Sequence, residues 1–225
     1  DVSLTHETIY RYSYSYWGRK YQLRRYLRRS HTVRKKNTGR KSQNRGKIPN
    51  RIDISLRPKS VESRKTAGHW EGDTLVGKRH QSAIVTLVER KSRYLSARQL
   101  NSREATETRQ AIVQLLKQHH VKLRKTITFD NGKEFTEHEQ ITKQLKTKCF
   151  FATPYRACER GTNEHTNGQL RWYLPKGTDF NELDPDILAA IVEALNDRPR
   201  KCLNYLTPRE VLQLELNKTK CCNSS

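Results

Sequence analysis

From about Gly68 onward, short β-like runs alternate with helical stretches, and the order of these segments restricts the fold more than any other feature of the sequence. The first three runs follow one another without a helix between them, which predicts an antiparallel meander of three strands. They cover residues 70–76, 83–88 and 94–98.

A helix is predicted after this meander. Asn101 and Glu104 have the spacing of a capping box, and an apolar face continues from Ala105 to about His120. Further strands are predicted at residues 127–129 and 149–151, and a further helix from Gly161. The order strand-strand-strand-helix-strand-helix-strand-helix is that of a mixed α/β domain.

Two more helices are predicted near the carboxyl end. Pro185 opens a segment with apolar residues at helical spacing. Thr207, Pro208 and Glu210 combine a capping residue, a proline at the first helical position and an acid three residues after the cap. Both helices are expected to cover the core, and residues 221–225 to form a frayed tail.

The charge is strongly positive and unevenly distributed. The formal net charge is +22, and residues 1–65 hold 19 Lys and Arg against four acids. Basic residues interleaved with tyrosines suit contact with phosphates and stacking on bases, which predicts nucleic-acid binding by an arm that includes Arg24, Arg25, Arg28 and Arg29. The alternative is a solvated, partly disordered basic arm with no dedicated ligand.

Composition excludes several other classes of protein. Only 33% of the residues are hydrophobic, and no run approaches the roughly 18 apolar residues that cross a bilayer. Five cysteines without a Cys-x-x-Cys pair disfavour a disulfide scaffold and a zinc ribbon. We therefore expect reduced thiols and a cytoplasmic protein with no membrane partner.

Three acids stand out in this basic chain. Asp73 lies inside a β-like run, Asp130 ends another, and Glu164 lies near the start of a helix. Burying a carboxylate costs several kcal/mol unless it is paired or bound to metal. Oxygen ligands of this kind suit hard divalent cations such as Mg²⁺, and two such ions can activate a nucleophile at a phosphodiester. Taken singly, Asp130 could be a turn residue of Asp-Asn-Gly and Glu164 a solvated helix acid.

Five segments bring these acids into a recognisable pattern. They are residues 69–73 (HWEGD), 87–94 (LVERKSRY), 128–135 (TFDNGKEF), 159–168 (ERGTNEHTNG) and 196–201 (NDRPRK). Together they closely resemble the bacterial insertion-sequence-thirty family of transposases. The resemblance implies a ribonuclease-H-like, integrase-type core with an Asp-Asp-Glu triad at Asp73, Asp130 and Glu164, and 33 residues separate the last two.

The same resemblance implies the domain organisation. Residues 1–29 are similar to the end of the family's helix-turn-helix region, whose preceding helices are absent from this sequence, and Thr5 is a predicted helix cap. Predicted next are a basic linker at 30–65, the catalytic core at 66–216 and the tail at 217–225. The chain departs from the family at Arg156-Ala157-Cys158 and at His165.

The implied reaction is cleavage of DNA at the ends of an insertion sequence, followed by attack of the freed 3′-hydroxyl on target DNA. Two Mg²⁺ ions, or Mn²⁺ in their place, are expected in the active site of a homo-oligomer assembled on terminal inverted repeats and target DNA in the bacterial nucleoid. Asn131 and Asn167 are expected to hold ligands or backbone in position. The predicted phosphate contacts of the core are Lys133, Arg160, Arg171 and Lys176. Two alternatives stay open, a catalytically silent DNA-binding remnant of a decayed element and a metal-dependent nuclease that stops after hydrolysis.

Overall fold

The computed structural model describes residues 4–27, 48–78, 82–153 and 161–221 of a chain that forms two compact units, residues 1–43 and 44–225. In the first unit, helix α1 spans His6–Ser13, helix α2 spans Tyr16–Lys20, and a short 3-10 helix spans Leu23–Tyr26. The hydroxyl of Thr5 accepts the Thr8 N–H at 3.3 Å, which confirms the predicted cap. The remaining elements belong to the second unit.

A mixed five-stranded sheet forms the centre of the second unit. Its strands are β1 (His69–Val76), β2 (Ala83–Glu89), β3 (Leu95–Leu100), β4 (Thr126–Phe129) and β5 (Lys148–Phe151). They are arranged in the order β3-β2-β1-β4-β5. The first three strands pair antiparallel, as the predicted meander requires, whereas β4 pairs parallel with both β1 and β5.

Helices cover both faces of the sheet. They are α3 (Ala105–Lys117), α4 (His138–Leu145), α5 (Gly161–Tyr173), α6 (Pro185–Asn196) and α7 (Pro208–Cys221). Residues of β2 alternate between the two faces, so that Val85 and Leu87 pack with α3 and α4, whereas Ile84 and Val88 pack with α5 and α6. The predicted α/β class is confirmed. No helix in the described ranges is long and apolar enough to cross a membrane.

The helix caps show one correction and one confirmation. The capping box expected at Asn101 and Glu104 is wrong, because α3 begins after Glu104 and the carboxylate of Glu107 accepts the Asn101 N–H instead. At α7, Thr207 and Glu210 exchange the two hydrogen bonds of a capping box, as predicted. Since α7 continues to Cys221, it includes residues 217–221 of the tail predicted at 217–225.

The chain from residue 48 onward is part of the folded domain. Ile48, Ile54 and Val61 are buried, and the carbonyl of Ile52 accepts the N–H of Phe151 at the end of β5. The linker predicted to extend to residue 65 is therefore corrected over its last eighteen residues, 48–65. The apolar residues spaced through this basic segment are what attach it to the sheet.

Candidate active site

The pairing of β1 with β4 sets two of the predicted acids side by side. In this parallel pair Glu71 lies opposite Thr128. Asp73 follows Glu71 by two residues, and Asp130 follows Thr128 by two residues. The two acids therefore lie next to each other on the same side of the sheet. Asp130 directly follows the last residue of β4, and both acids are half-buried.

Hydrogen bonds from neighbouring residues fix both carboxylates. Asp73 Oδ1 accepts the Thr74 N–H at 2.9 Å, and Oδ2 accepts the side-chain amide of Asn167 at 3.0 Å. Asp130 Oδ1 accepts the Gly132 N–H at 2.9 Å, within the Asp-Asn-Gly turn. The turn is therefore present, and one oxygen of Asp130 accepts its hydrogen bond. Asp130 nevertheless lies beside Asp73.

The two predicted positioning amides make different contacts. Asn167 on α5 bridges β1 and β2, since its amide donates to Asp73 while its oxygen accepts the Thr86 hydroxyl at 3.0 Å. Asn131 donates to the carbonyl of Ala152 at 2.8 Å and accepts from Arg51. Asn167 therefore acts on an acid directly, whereas Asn131 ties the turn after β4 to the end of β5.

The third predicted acid is attached less directly. Glu164 is exposed on the first turn of α5, one helical turn before Asn167, which contacts Asp73. Within the part of the chain that the structure describes, no three His, Cys, Asp or Glu side chains lie close enough to form a metal-holding group. Of the three predicted acids, Asp73 and Asp130 are thus brought side by side, whereas Glu164 lies one helical turn from the residue that contacts Asp73.

A fourth carboxylate, which the sequence did not single out, borders the two aspartates. Glu134 accepts the Thr74 hydroxyl at 2.7 Å and an Arg103 guanidinium N–H at 3.2 Å. Burial raises the pKa of the Glu134 carboxyl, but these bonds and its own backbone N–H outweigh burial, so the pKa lies below its ordinary value. Glu134 thus carries negative charge near Asp130 at neutral pH.

Glu71 joins the strand of Asp73 to the helix of Glu164. Its side chain is fully buried, with Oε1 accepting from Arg90 at 2.6 Å and Oε2 accepting the Asn163 N–H at 2.8 Å. The Asn163 side chain donates back to the Glu71 carbonyl at 3.0 Å. Since Glu71 is two residues before Asp73 and Asn163 directly precedes Glu164, this double contact sets the spacing between the two elements.

The ion pair continues into the segment that sequence reasoning assigned to a linker. Glu62 pairs with both Arg57 and Arg90, and Arg57 also donates to the Thr128 hydroxyl on β4 at 2.8 Å. Both arginines are buried. This network was missed because Arg57 is 71 residues from Thr128 and Glu62 is 28 residues from Arg90.

The predicted DNA-contacting residues fall into three groups. Exposed or partly exposed are Arg24, Arg25, Lys133 and Lys176. The Arg171 guanidinium donates to the Val76 carbonyl at 2.7 Å and lies over the Phe180 ring, so it holds the end of β1. Outside the described residues are Arg28, Arg29 and Arg160, as are the departures at 156–158.

Comparison with known proteins agrees with this architecture. The family described as "Integrase core domain" matches residues 63–157. The transposase for insertion sequence element IS4351 of Bacteroides fragilis is 43% identical over 95% of this chain and 65% of its own length. The transposase for IS1086 of Cupriavidus metallidurans is 38% identical, over 94% of this chain and 63% of its length. Transposase InsI for IS30C of Escherichia coli K12 is 36% identical, over 84% and 49%.

Solved structures give the same fold. The catalytic core domain of BIV integrase superposes with a TM-score of 0.53 at 23% identity, covering 68% of this chain and 98% of that domain. A chain of the simian T-cell lymphotropic virus intasome in complex with PP2A regulatory subunit B56 gamma also gives 0.53, at 20% identity, covering 65% of this chain and 54% of its own. The ribonuclease-H-like fold is thus confirmed. The chain spans about half to two thirds of the length of the curated relatives named above, matches the integrase core domain family over residues 63–157, and is similar to insertion-sequence transposases, those of IS30 elements among them.

Proposed function

We propose that this chain is the catalytic part of a DNA transposase, which cleaves DNA at the ends of an insertion sequence and joins those ends to target DNA. The observation that carries the proposal is the placement of Asp73 beside Asp130, where β1 and β4 run side by side in an integrase-type fold. The homologous transposases support the same reaction class.

Divalent cations fit the oxygen donors of this site. Asp73 and Asp130 would hold them, with Glu164 completing the set from α5, because Mg²⁺ and Mn²⁺ prefer carboxylate oxygens. When bound, two such ions would lower the pKa of a water or 3′-hydroxyl and stabilise the leaving oxygen. The side-chain amide of Asn167 donates to one Asp73 oxygen and so holds that carboxylate toward α5. The ionised Glu134 adds negative charge that favours cation binding.

DNA is the substrate that the charge favours. The first 65 residues carry most of the excess of Lys and Arg, and Lys133 lies exposed in the turn after Asp130. Lys133, Lys176, Arg24 and Arg25 are proposed phosphate contacts, which supply affinity without reading sequence. We further propose terminal inverted repeats and target DNA as the two substrates, and a homo-oligomer that holds both element ends.

A donor-strand nicking assay with Mg²⁺ or Mn²⁺ tests the catalytic proposal. The wild-type chain should nick end-containing DNA, Asp130→Asn should abolish nicking, and the matched surface substitution Asp186→Asn should leave it unchanged. Nicking that survives Asp130→Asn contradicts the proposed metal site. Binding without nicking by the wild-type chain would support the silent remnant.

A second assay distinguishes transposition from plain hydrolysis. Labelled end DNA with a free 3′-hydroxyl is incubated with an unlabelled target duplex, and joined products are resolved by size. Joined product is expected from the wild-type chain and not from Asp130→Asn. Nicking without any joined product would favour the metal-dependent nuclease.

A further inference from the structure

Helix α5 also borders a strongly positive site, which lies on a different side of the helix from the one that faces Asp73. It is a cavity of about 330 Å³, here called the arginine pocket. Its lining residues are Gly161, Thr162, His165 and Thr166 of α5 together with Arg64, Arg93, Arg200 and Cys202. His165, which departs from the family pattern, therefore lies at this pocket.

Two of the arginines converge on one hydroxyl group. Arg93 Nη1 donates to Thr162 Oγ1 at 2.8 Å, and Arg64 Nη2 donates to the same oxygen at 3.3 Å. The two guanidinium nitrogens are therefore at most about 6 Å apart. Both residues have left-handed backbone angles, with φ of 53° at Arg64 and 64° at Arg93. Non-glycine residues rarely adopt this backbone conformation.

Within the described residues, no carboxylate forms a salt bridge with these cations. Arg64, Arg93 and Arg200 take part in none of its salt bridges, whereas the buried Arg57 and Arg90 both pair with Glu62. Burial and the positive charges of Arg93 and Arg90 lower the pKa of Arg64, and the more weakly acting Glu71 and Glu62 offset this only in part. An anion in the pocket would relieve this repulsion.

The third arginine is fixed from behind. Arg200 Nη1 donates to Gln169 Oε1 at 2.6 Å, Nη2 donates to the Leu195 carbonyl at 2.9 Å, and Nε is buried with no hydrogen-bond partner. Its guanidinium is thus held on the pocket wall by α5 and α6, and none of the residues that the structure describes gives it an anionic partner. A second cavity, beside Arg109, differs because Glu137 pairs with that arginine and Glu139 adds another acid.

From this geometry we infer that the arginine pocket binds a phosphate group, either a backbone phosphate of DNA or free phosphate. Guanidinium groups match the oxygens of a phosphate in geometry and charge, and the pocket adds the Thr162 hydroxyl as a further polar group. The volume of the pocket is large enough for a phosphate together with the adjoining atoms of a DNA strand.

The position of the pocket explains how DNA would use it. Asn163 and Asn167 point from α5 toward β1, whereas Thr162 and Thr166 line the pocket on the next flank of the helix. A strand crossing α5 could therefore hold one phosphate in the pocket while another approaches the two aspartates. This DNA-bound form rests on the proposed function, but binding of free phosphate does not.

The first test measures stabilisation by inorganic phosphate at constant ionic strength. Thermal unfolding of the full chain should shift upward with phosphate. Arg93→Gln should reduce the phosphate affinity about tenfold or more, as expected for loss of one charged hydrogen-bonding partner. The matched control is Arg98→Gln, which removes an exposed arginine outside the pocket and should retain the wild-type response.

A second measurement needs no variant and so remains valid if Arg93→Gln misfolds. Phenylglyoxal modifies accessible arginines, and peptide mapping of the wild-type chain should show that phosphate protects Arg64 and Arg93 but not Arg98. If phosphate gives no such protection and Arg93→Gln responds to phosphate as Arg98→Gln does, the inference is overturned.

DNA binding then identifies the source of the phosphate. Anisotropy of a random-sequence duplex is measured across a range of KCl concentrations, and Arg93→Gln should reduce the slope of log affinity against log salt by about 0.9. An unchanged slope with phosphate protection intact assigns the pocket to free phosphate. If the wild-type chain does not nick DNA, the proposed function is refuted while phosphate protection is unaffected, so the two failures are distinguishable.

Discussion

Replacing Glu71 by glutamine isolates the contact that joins the Asp73 strand to the Glu164 helix. The substitution keeps the shape of the side chain and removes its charge. Glutamine has one acceptor oxygen, whereas the carboxylate of Glu71 accepts from both Arg90 and the Asn163 N–H. One of these donors would face the new NH₂ group, and Arg90 would lose its buried counter-ion.

The magnitude follows from burial. Glu71 is 0% exposed and Arg90 is 3% exposed, and removing one partner of such a buried pair costs about 3–5 kcal/mol. Glu62 still contacts Arg90 at 3.1 Å, but its side chain is 62% exposed and compensates only in part. We therefore expect a loss near the lower limit, about 3 kcal/mol.

Urea unfolding followed by circular dichroism measures this loss. With a slope of about 2 kcal/mol per molar urea, the midpoint should fall by about 1.5 M. The control is Asp197→Asn, which breaks an ion pair with Arg209 whose side chains are about half exposed, and it should cost about 1 kcal/mol or less. Equal midpoints for the two variants would show that the Glu71 pair contributes no more than a surface pair, and the reasoning would be wrong.

Three further predictions follow from the described residues. Burial lowers the pKa of His69 and of His119 to about 4, whereas both groups titrate near about 6.5 in the unfolded chain. The free energy of unfolding should therefore fall as the pH drops from about 6.5 to about 4. In urea titrations, His119→Gln should reduce the number of protons taken up on unfolding in this pH range by about one. Burial raises the pKa of Cys149 to about 12, so iodoacetamide should modify the exposed Cys202 in the native chain and reach Cys149 only after unfolding, as mass spectrometry would show; equal modification contradicts this. Deleting residues 1–43 should flatten the salt dependence of DNA binding measured by anisotropy, and an unchanged slope would place the main phosphate contacts on the remaining residues.

The order of strands and helices along the chain could be predicted because it depends on local pattern. The runs at 70–76, 83–88 and 127–129 contain β-branched and apolar residues between turn signals, and each became a strand within one or two residues of the expected bounds. The capping box at Thr207 was also found, because its two partners are three residues apart. The capping box predicted at Asn101 is wrong, because the nearby Glu107 accepts the N–H groups of Asn101 and Ser102.

The parts that could not be predicted depend on contacts between distant residues. Nothing local to Arg57 indicates that it enters the interior to meet Thr128, 71 residues away. Glu71 gave a signal that was underused, namely an acid inside a strand on the same face as Asp73. The arginine pocket has no signature in the sequence, because its arginines come from three separate segments.

One packing contact accounts for the spacing of the two aspartates. A Cβ added at Gly72 would lie 2.5 Å from Cε1 of Phe129, so only glycine lets this ring lie over β1. The ring is fixed from the other side by stacking on Phe135 at a centroid distance of 4.4 Å. Gly72 directly precedes Asp73 and Phe129 directly precedes Asp130, so the same contact holds both acids in place through the sheet core. Glu164 lies on α5, which is attached to β1 by the polar contacts of Asn163 with Glu71 and of Asn167 with Asp73 and to the core by Leu170, so the position of that helix sets the position of the third acid.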